Sequence, residues 1–226
     1  GIWAGIAHAH AQVGDTAAAA QAAGRALLEL AAVNKAELSD DDQAEAQEAA
    51  IRVGASRWAV EPAVAPPTSR LHIRTEPGEI GQTCVALHDP AGAVLKRQCT
   101  YGVVWPASAR PDPTGQMLVL AVQPLPAWTE LWLFRRGADG WQLEVLPPAA
   151  AEPVLGYVEF AGWVGGASPR LLLAREARAD GRLRRSFEVL ALDSLAIERQ
   201  ASRPDLLVLF GRHADARWRA QTVSLR

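Results

Sequence analysis

Cys84 and Cys99 are the residues of this chain best placed to form a covalent bond with each other, and they are its only cysteines. Cys84 lies in the strand-like run Thr83–Leu87, and Cys99 directly follows another, Val94–Gln98. These runs flank Asp89-Pro90-Ala91-Gly92, a turn signal. Folding the hairpin about its loop sets the two cysteines directly opposite. Cross-strand Cβ atoms at such positions lie about 4.5–5.5 Å apart, within reach of a bridge after small adjustment. A disulfide is therefore expected, with two buried free thiols as the alternative. A metal site is not expected, because two thiolates need further ligands and only His72 and His88 lie near in sequence. The bridge implies an oxidising compartment, a bacterial periplasm or the cell exterior; free thiols would leave the cytoplasm open.

Other chemistry fails on spacing. His8 and His10 are two apart, so on a helix they point to different faces and cannot share a metal comfortably. Gly165-Gly166-Ala167-Ser168 lacks the Gly-x-Ser-x-Gly order of a nucleophile elbow and reads as a turn between strands. Ser202, His213 and Asp215 are close in sequence, but nothing arranges them as a triad. Asp40-Asp41-Asp42 lacks the alternating spacing of a calcium loop and suits the start of a helix. No phosphate-binding glycine loop occurs. The chain carries no catalytic motif, and no cofactor is expected.

Two features suit a partner instead. Trp128 stands in the loop-like stretch Pro124-Leu125-Pro126-Ala127-Trp128, where its ring is either a binding anchor or tucks back on a sheet. Arg182, Arg184 and Arg185, with Arg178, surround an Asp180-Gly181 turn, as a solvated hairpin or a dock for an acidic partner. Residues 170–226 hold twelve arginines against seven acids, whereas the formal net charge of all 226 residues is −2. That overall balance favours neither nucleic acid nor a polyanionic partner. No run of eighteen apolar residues exists to span a membrane as a helix. The chain has no initiator Met, and Gly1-Ile2-Trp3 reads like the middle of a helix, so processing or a missing N-terminal part is expected.

The elements that would carry these residues fall into two kinds. Residues 1–59 read as helical: a helix bearing Trp3, Ile6 and Ala7, a break at Gly14-Asp15, a second helix capped by Thr16, and a third starting at Ser39–Asp42 and ending at Gly54. Residues 60–70, with Pro62, Pro66 and Pro67, read as a linker. Residues 71–226 read as strands and turns, closing on an edge strand at Gln221–Leu225. Within them four strand-like runs (Tyr101–Trp105, Met117–Val122, Leu131–Phe134, Trp141–Leu146) are followed by four more (Tyr157–Trp163, Leu171–Ala174, Phe187–Leu192, Ala196–Arg199). The expected fold is α+β by segregation: three helices, then an all-β region of four-stranded antiparallel units repeating about every 55 residues.

Trp3, Gly5, Ala9, the Gly14-Asp15 turn, Ala19 and Ala26-Leu27 resemble a tetratricopeptide-type hairpin. The four-strand units, with Glu130–Phe134 and Phe187–Asp193 as third strands, resemble blades of the TolB and WD-repeat group of β-propellers, although the Trp-Asp dipeptide is absent. The resemblance implies an incomplete propeller or, failing that, a β-sandwich. It also implies a non-enzymatic protein-interaction or scaffold module with a protein or peptide partner, and the expected disulfide adds that the protein is exported. The alternatives are an accessory propeller domain of a larger hydrolase and a glycan binder using Trp faces.

Overall fold

The computed structural model describes residues 2–57, 71–150, 153, 155–179 and 181–221. The expected linker at 60–70 and closing strand after Gln221 lie outside the described residues.

Three helices open the chain: α1 (Ile2–Gln12), α2 (Thr16–Ala31) and α3 (Asp40–Ser56). The α1–α2 hairpin closes on small residues, with Ala7, Ala22 and Ala23 buried between the helices. Asp15, not Thr16, caps α2: its carboxylate accepts from the Ala18 N–H at 3.0 Å. Ser39 caps α3, and Asp40–Asp42 fill its first turn. Gly54 does not end α3, which continues to Ser56. The glycine is there for space, because a Cβ on it would sit 2.9 Å from the Tyr157 ring.

Eleven strands follow among the described residues. β1 (His72–Pro77), β2 (Thr83–His88) and β3 (Val94–Thr100) form a three-stranded antiparallel sheet. Next come β4 (Val103–Pro111), β5 (Met117–Leu125), β6 (Trp128–Gly137) and β7 (Gly140–Leu146), one antiparallel meander. β8 (Gly156–Val164), β9 (Arg170–Ala179), β10 (Arg182–Ala191) and β11 (Ile197–Ala201) make a second meander of the same order. Among the described residues the meanders touch edge to edge at two parallel pairs, Trp128 with Gly156 and Thr129 with Tyr157. Beyond them β7 takes over that edge of β6. The β4–β5 turn is held by the buried Asp112, whose carboxylate accepts from the N–H groups of Gln116 and Met117 at 2.8 and 2.7 Å.

The sheets stack in layers. Alternate residues of β5 and β6 face opposite ways, as a strand requires. Leu118, Leu120, Val122, Trp132 and Phe134 pack on Val85 and Leu87 of the three-stranded sheet. Val119, Leu131 and Leu133 pack on Val158, Phe160, Leu171, Leu173 and Leu190 of the second meander. The far face of that meander meets Leu207, Phe210 and Trp218 from two short helices, α4 (Val208–His213) and α5 (Ala216–Gln221). These helices correct the expectation that everything after residue 70 is strand or turn. Six residues are too few to show a helical period, and Leu207-Val208-Leu209-Phe210 imitates a strand. Gly162 lets them approach: a Cβ there would run into the His213 carbonyl oxygen.

The first meander is thus covered on both faces. The outer face of the three-stranded sheet, opposite Ile73 and Leu87, presents His72, Arg74, Glu76 and Arg97. The layers form an open stack, and the eight-stranded sheet ends at β4 and β11. The helical segment packs against the first strands of both meanders: Ala11 and Ala19 on Val103 and Trp105, Ala50 and Ile51 on Leu155 and Tyr157.

Cys84 and Cys99 pair in register across β2 and β3 and are joined, Sγ to Sγ, at 1.96 Å. Cross-links of this loop length stabilise by about 3 kcal/mol on the chain-entropy account. Reduction under native conditions should add the mass of two hydrogens and lower the urea-derived unfolding free energy by about that amount. An unchanged free energy after complete reduction would show that the bond does not constrain the unfolded chain.

Candidate functional site: a cleft between the helical turn and two sheet edges

The partner candidates from sequence fall in separate places. Trp128 is 2% exposed and opens β6, not a loop. Its ring lies in the core, so it presents no exposed anchor. The arginines are divided by strand alternation. Arg182 and Arg184 are exposed at the β9–β10 hairpin. The Arg185 side chain is buried, 4.0 Å from Glu176 and over the Phe187 ring. Arg178 reaches back to Glu48 of α3, and Arg175 pairs with Glu188 at 2.7 Å. This group is largely spent on internal pairs. A depression of about 630 Å³ beside it is lined by Pro147–Ala150, Leu183 and Ile197 above the Arg175–Glu188 pair.

His8 is buried, whereas His10 is half-buried beside Asp15. Asp215 caps α5 by accepting from the Arg217 and Trp218 N–H groups; among the described residues it makes no hydrogen bond to Ser202 or His213. Gly165–Ser168 is the β8–β9 turn. No group of three or more His, Cys, Asp or Glu is arranged to hold a metal among the described residues.

A different place gathers the features of a binding site. Between the α1–α2 turn, the end of β1 and the start of β4 lies a cleft of about 610 Å³. Val13 and Gly14 form one wall, Thr75 and Pro77 a second, and Tyr101 with Val104 a third. Large apolar side chains stand exposed around it: Val13 is 79% exposed and Tyr101 61%. Ile80, next to the lining residue Gly81, is wholly exposed at the tip of the β1–β2 turn. That turn is stiff: the Gly78 N–H donates to the Gln82 carbonyl at 3.0 Å, and the Gln82 N–H to that of Glu79 at 2.8 Å. Tyr101 donates its hydroxyl to Glu79 at 3.5 Å. The disulfide ties the strands just behind it.

A buried polar cluster fixes the helical wall. Trp105 donates Nε1–H to Gln123 Oε1 at 3.0 Å, and the Gln123 amide donates to the Pro126 carbonyl at 2.9 Å. His8 of α1 is buried beside the same Gln123. Burial lowers the His8 pKa below the ordinary value, and the Gln123 side chain opposes this only in part. Protonation would put an N–H on the buried Nδ1, which has no partner among the described residues. Sequence reasoning missed this cluster and the cleft. A sign of the former was present: Gln123 ends an otherwise apolar run in β5.

Comparison with protein-family models, with curated proteins and with solved structures finds no match to this chain.

Because His8 is held neutral when folded, its contribution is complete above the unfolded value of about 6.5. It is lost as pH falls from there through the depressed folded value. Urea midpoints taken at near-neutral and mildly acidic pH should fall more for the wild-type chain than for His8→Gln. Equal falls would remove His8 from the pH response.

Proposed function

We propose that this chain is a non-catalytic interaction module whose partner docks at the cleft between the α1–α2 turn and the edges of β1 and β4. The observation that carries the reading is the cleft's rim, where Val13, Ile80 and Tyr101 stand exposed around a rigid, disulfide-backed turn. Large exposed apolar side chains gathered at a concavity favour a protein or peptide partner. The oxidising environment that a Cys84–Cys99 bond requires supports an exported protein, periplasmic or extracellular. Face-to-face packing of the two meanders and the close α1–α2 hairpin support a comparison with propeller blades and with a tetratricopeptide unit. Both architectures commonly serve binding, though fold alone is a weak guide to function.

A glycan reading would need two or more Trp rings open in one groove. Trp105, Trp128, Trp132 and Trp218 are buried, and Trp3, Trp141 and Trp163 are half-buried, so these rings offer that reading no support.

The test is recovery of the chain from its source after mild cross-linking. A defined protein should accompany the wild-type chain. It should be lost from a Val13→Glu/Tyr101→Ala variant whose circular dichroism and melting are unchanged. A wild-type chain recovered alone, or a variant that keeps the partner, would contradict the reading.

A further inference from the structure

We propose that the cleft takes an extended peptide segment, which adds as a further strand along the free edge of β1. This deepens the interaction-module reading and rests on it.

Among the described residues β1 pairs only with β2 and ends its sheet, and β4 ends the other sheet. Two strand edges with unpaired backbone groups therefore flank one cleft. The direction of each β1 group follows from the disulfide register. Cα atoms of Cys84 and Cys99 are 3.9 Å apart. That is close to the roughly 4.5 Å of a non-hydrogen-bonded pair and far from the roughly 5.5 Å of a bonded one. The Cys84 backbone groups thus point away from β3, toward its β1 partner Glu76. The Gly78 N–H donating to Gln82, across the turn, falls on the same side as Glu76. By alternation, Ile73 and Thr75 turn their N–H and C=O outward, and Pro77 adds an outward C=O. Thr75 and Pro77 line the cleft. An incoming strand meets a donor and acceptors there, the requirement for recognition by strand addition.

A bound strand projects alternate residues to its two faces. Val13 and Tyr101 offer apolar contact beside the edge, and Ile80 does so at its end. Glu76 is the charged residue among the described lining residues, and it is already paired with Arg97 at 3.7 Å. The setting is therefore apolar, and the occupant is an extended segment with alternating apolar residues. The prolines at 77 and 106, on the two flanking strands, limit indiscriminate edge pairing by leaving few free donors.

The test uses the full chain and a phage-displayed library of short random peptides. The most enriched peptide is then synthesised as the probe. Enriched sequences should alternate apolar residues. Thr75→Pro removes the outward donor at an edge position where proline is tolerated, and should weaken binding about tenfold or more, as should Tyr101→Ala. Independently, peptide binding should slow hydrogen exchange at the Thr75 amide of the wild-type chain; this decides the matter if Thr75→Pro fails to fold. Failure to enrich any peptide overturns the proposal. So does a probe whose affinity ignores Thr75→Pro in a folded variant, or one that leaves Thr75 exchange unchanged. These results would not touch the broader interaction reading, which stands or falls on the accompanying protein recovered from the source.

Discussion

Burial of the β4–β7 meander on both faces is the constraint from which the rest of the structure follows. Strands of an antiparallel sheet with one wet face alternate apolar and polar residues. β5 instead runs Leu118-Val119-Leu120-Ala121-Val122 with every residue buried, and β6 runs Leu131-Trp132-Leu133-Phe134 likewise. Such a strand needs a layer on each side. The three-stranded sheet supplies one and the second meander the other. Each fully buried Leu, Val or Phe contributes about 1.5–3 kcal/mol relative to exposure, so neither covering layer can leave without a large loss. The cleft exists because this stack brings the edges of β1 and β4 side by side while the helical turn leans over them.

Polar ties then fix what apolar stacking leaves loose. Arg57, at the end of α3, lies 3.4 Å from Glu159 of β8, and Trp218 of α5 donates its indole N–H to the same carboxylate at 2.6 Å. Tyr157 donates to Glu176 at 2.9 Å. Burial, with the charges of Glu159 and Glu176, raises the Tyr157 pKa well above its ordinary value, so the phenol stays a donor. Buried ion pairs of this kind add little net stability, yet breaking one strands a charge. Their effect is positional: they register a helix at each end of the chain on the same strand, β8. The His8–Gln123–Trp105 cluster does the same for α1 on β4 and β5.

Local signals in the sequence were strong wherever pattern and turn chemistry agreed. The Asp89–Gly92 turn placed Cys84 opposite Cys99, and the two four-strand units were legible from their spacing. Signals failed where tertiary packing overrode local preference. Gly54 looks like a helix terminus but is a contact with Tyr157. Trp128 sits among prolines, yet its strand pairing with Gly156 draws it into the core. Arg178, Arg182, Arg184 and Arg185 read as one group around a turn, but alternation and partners from α3 and β9 divide them. Glu159 and Gln123, polar residues in apolar runs, were the available hints of buried networks. The cleft had no such hint, since Val13, Thr75 and Tyr101 meet only through the stacking of sheets.

Native-state hydrogen exchange followed by mass spectrometry tests the layered account most directly. Amides of β5 and β6 should exchange most slowly, at the free energy of global unfolding, and β1 and α1 should open at lower cost. If β5 and β6 exchange as fast as β1, or if either covering layer opens fully without exposing them, the first meander is not the shared core and the account is wrong.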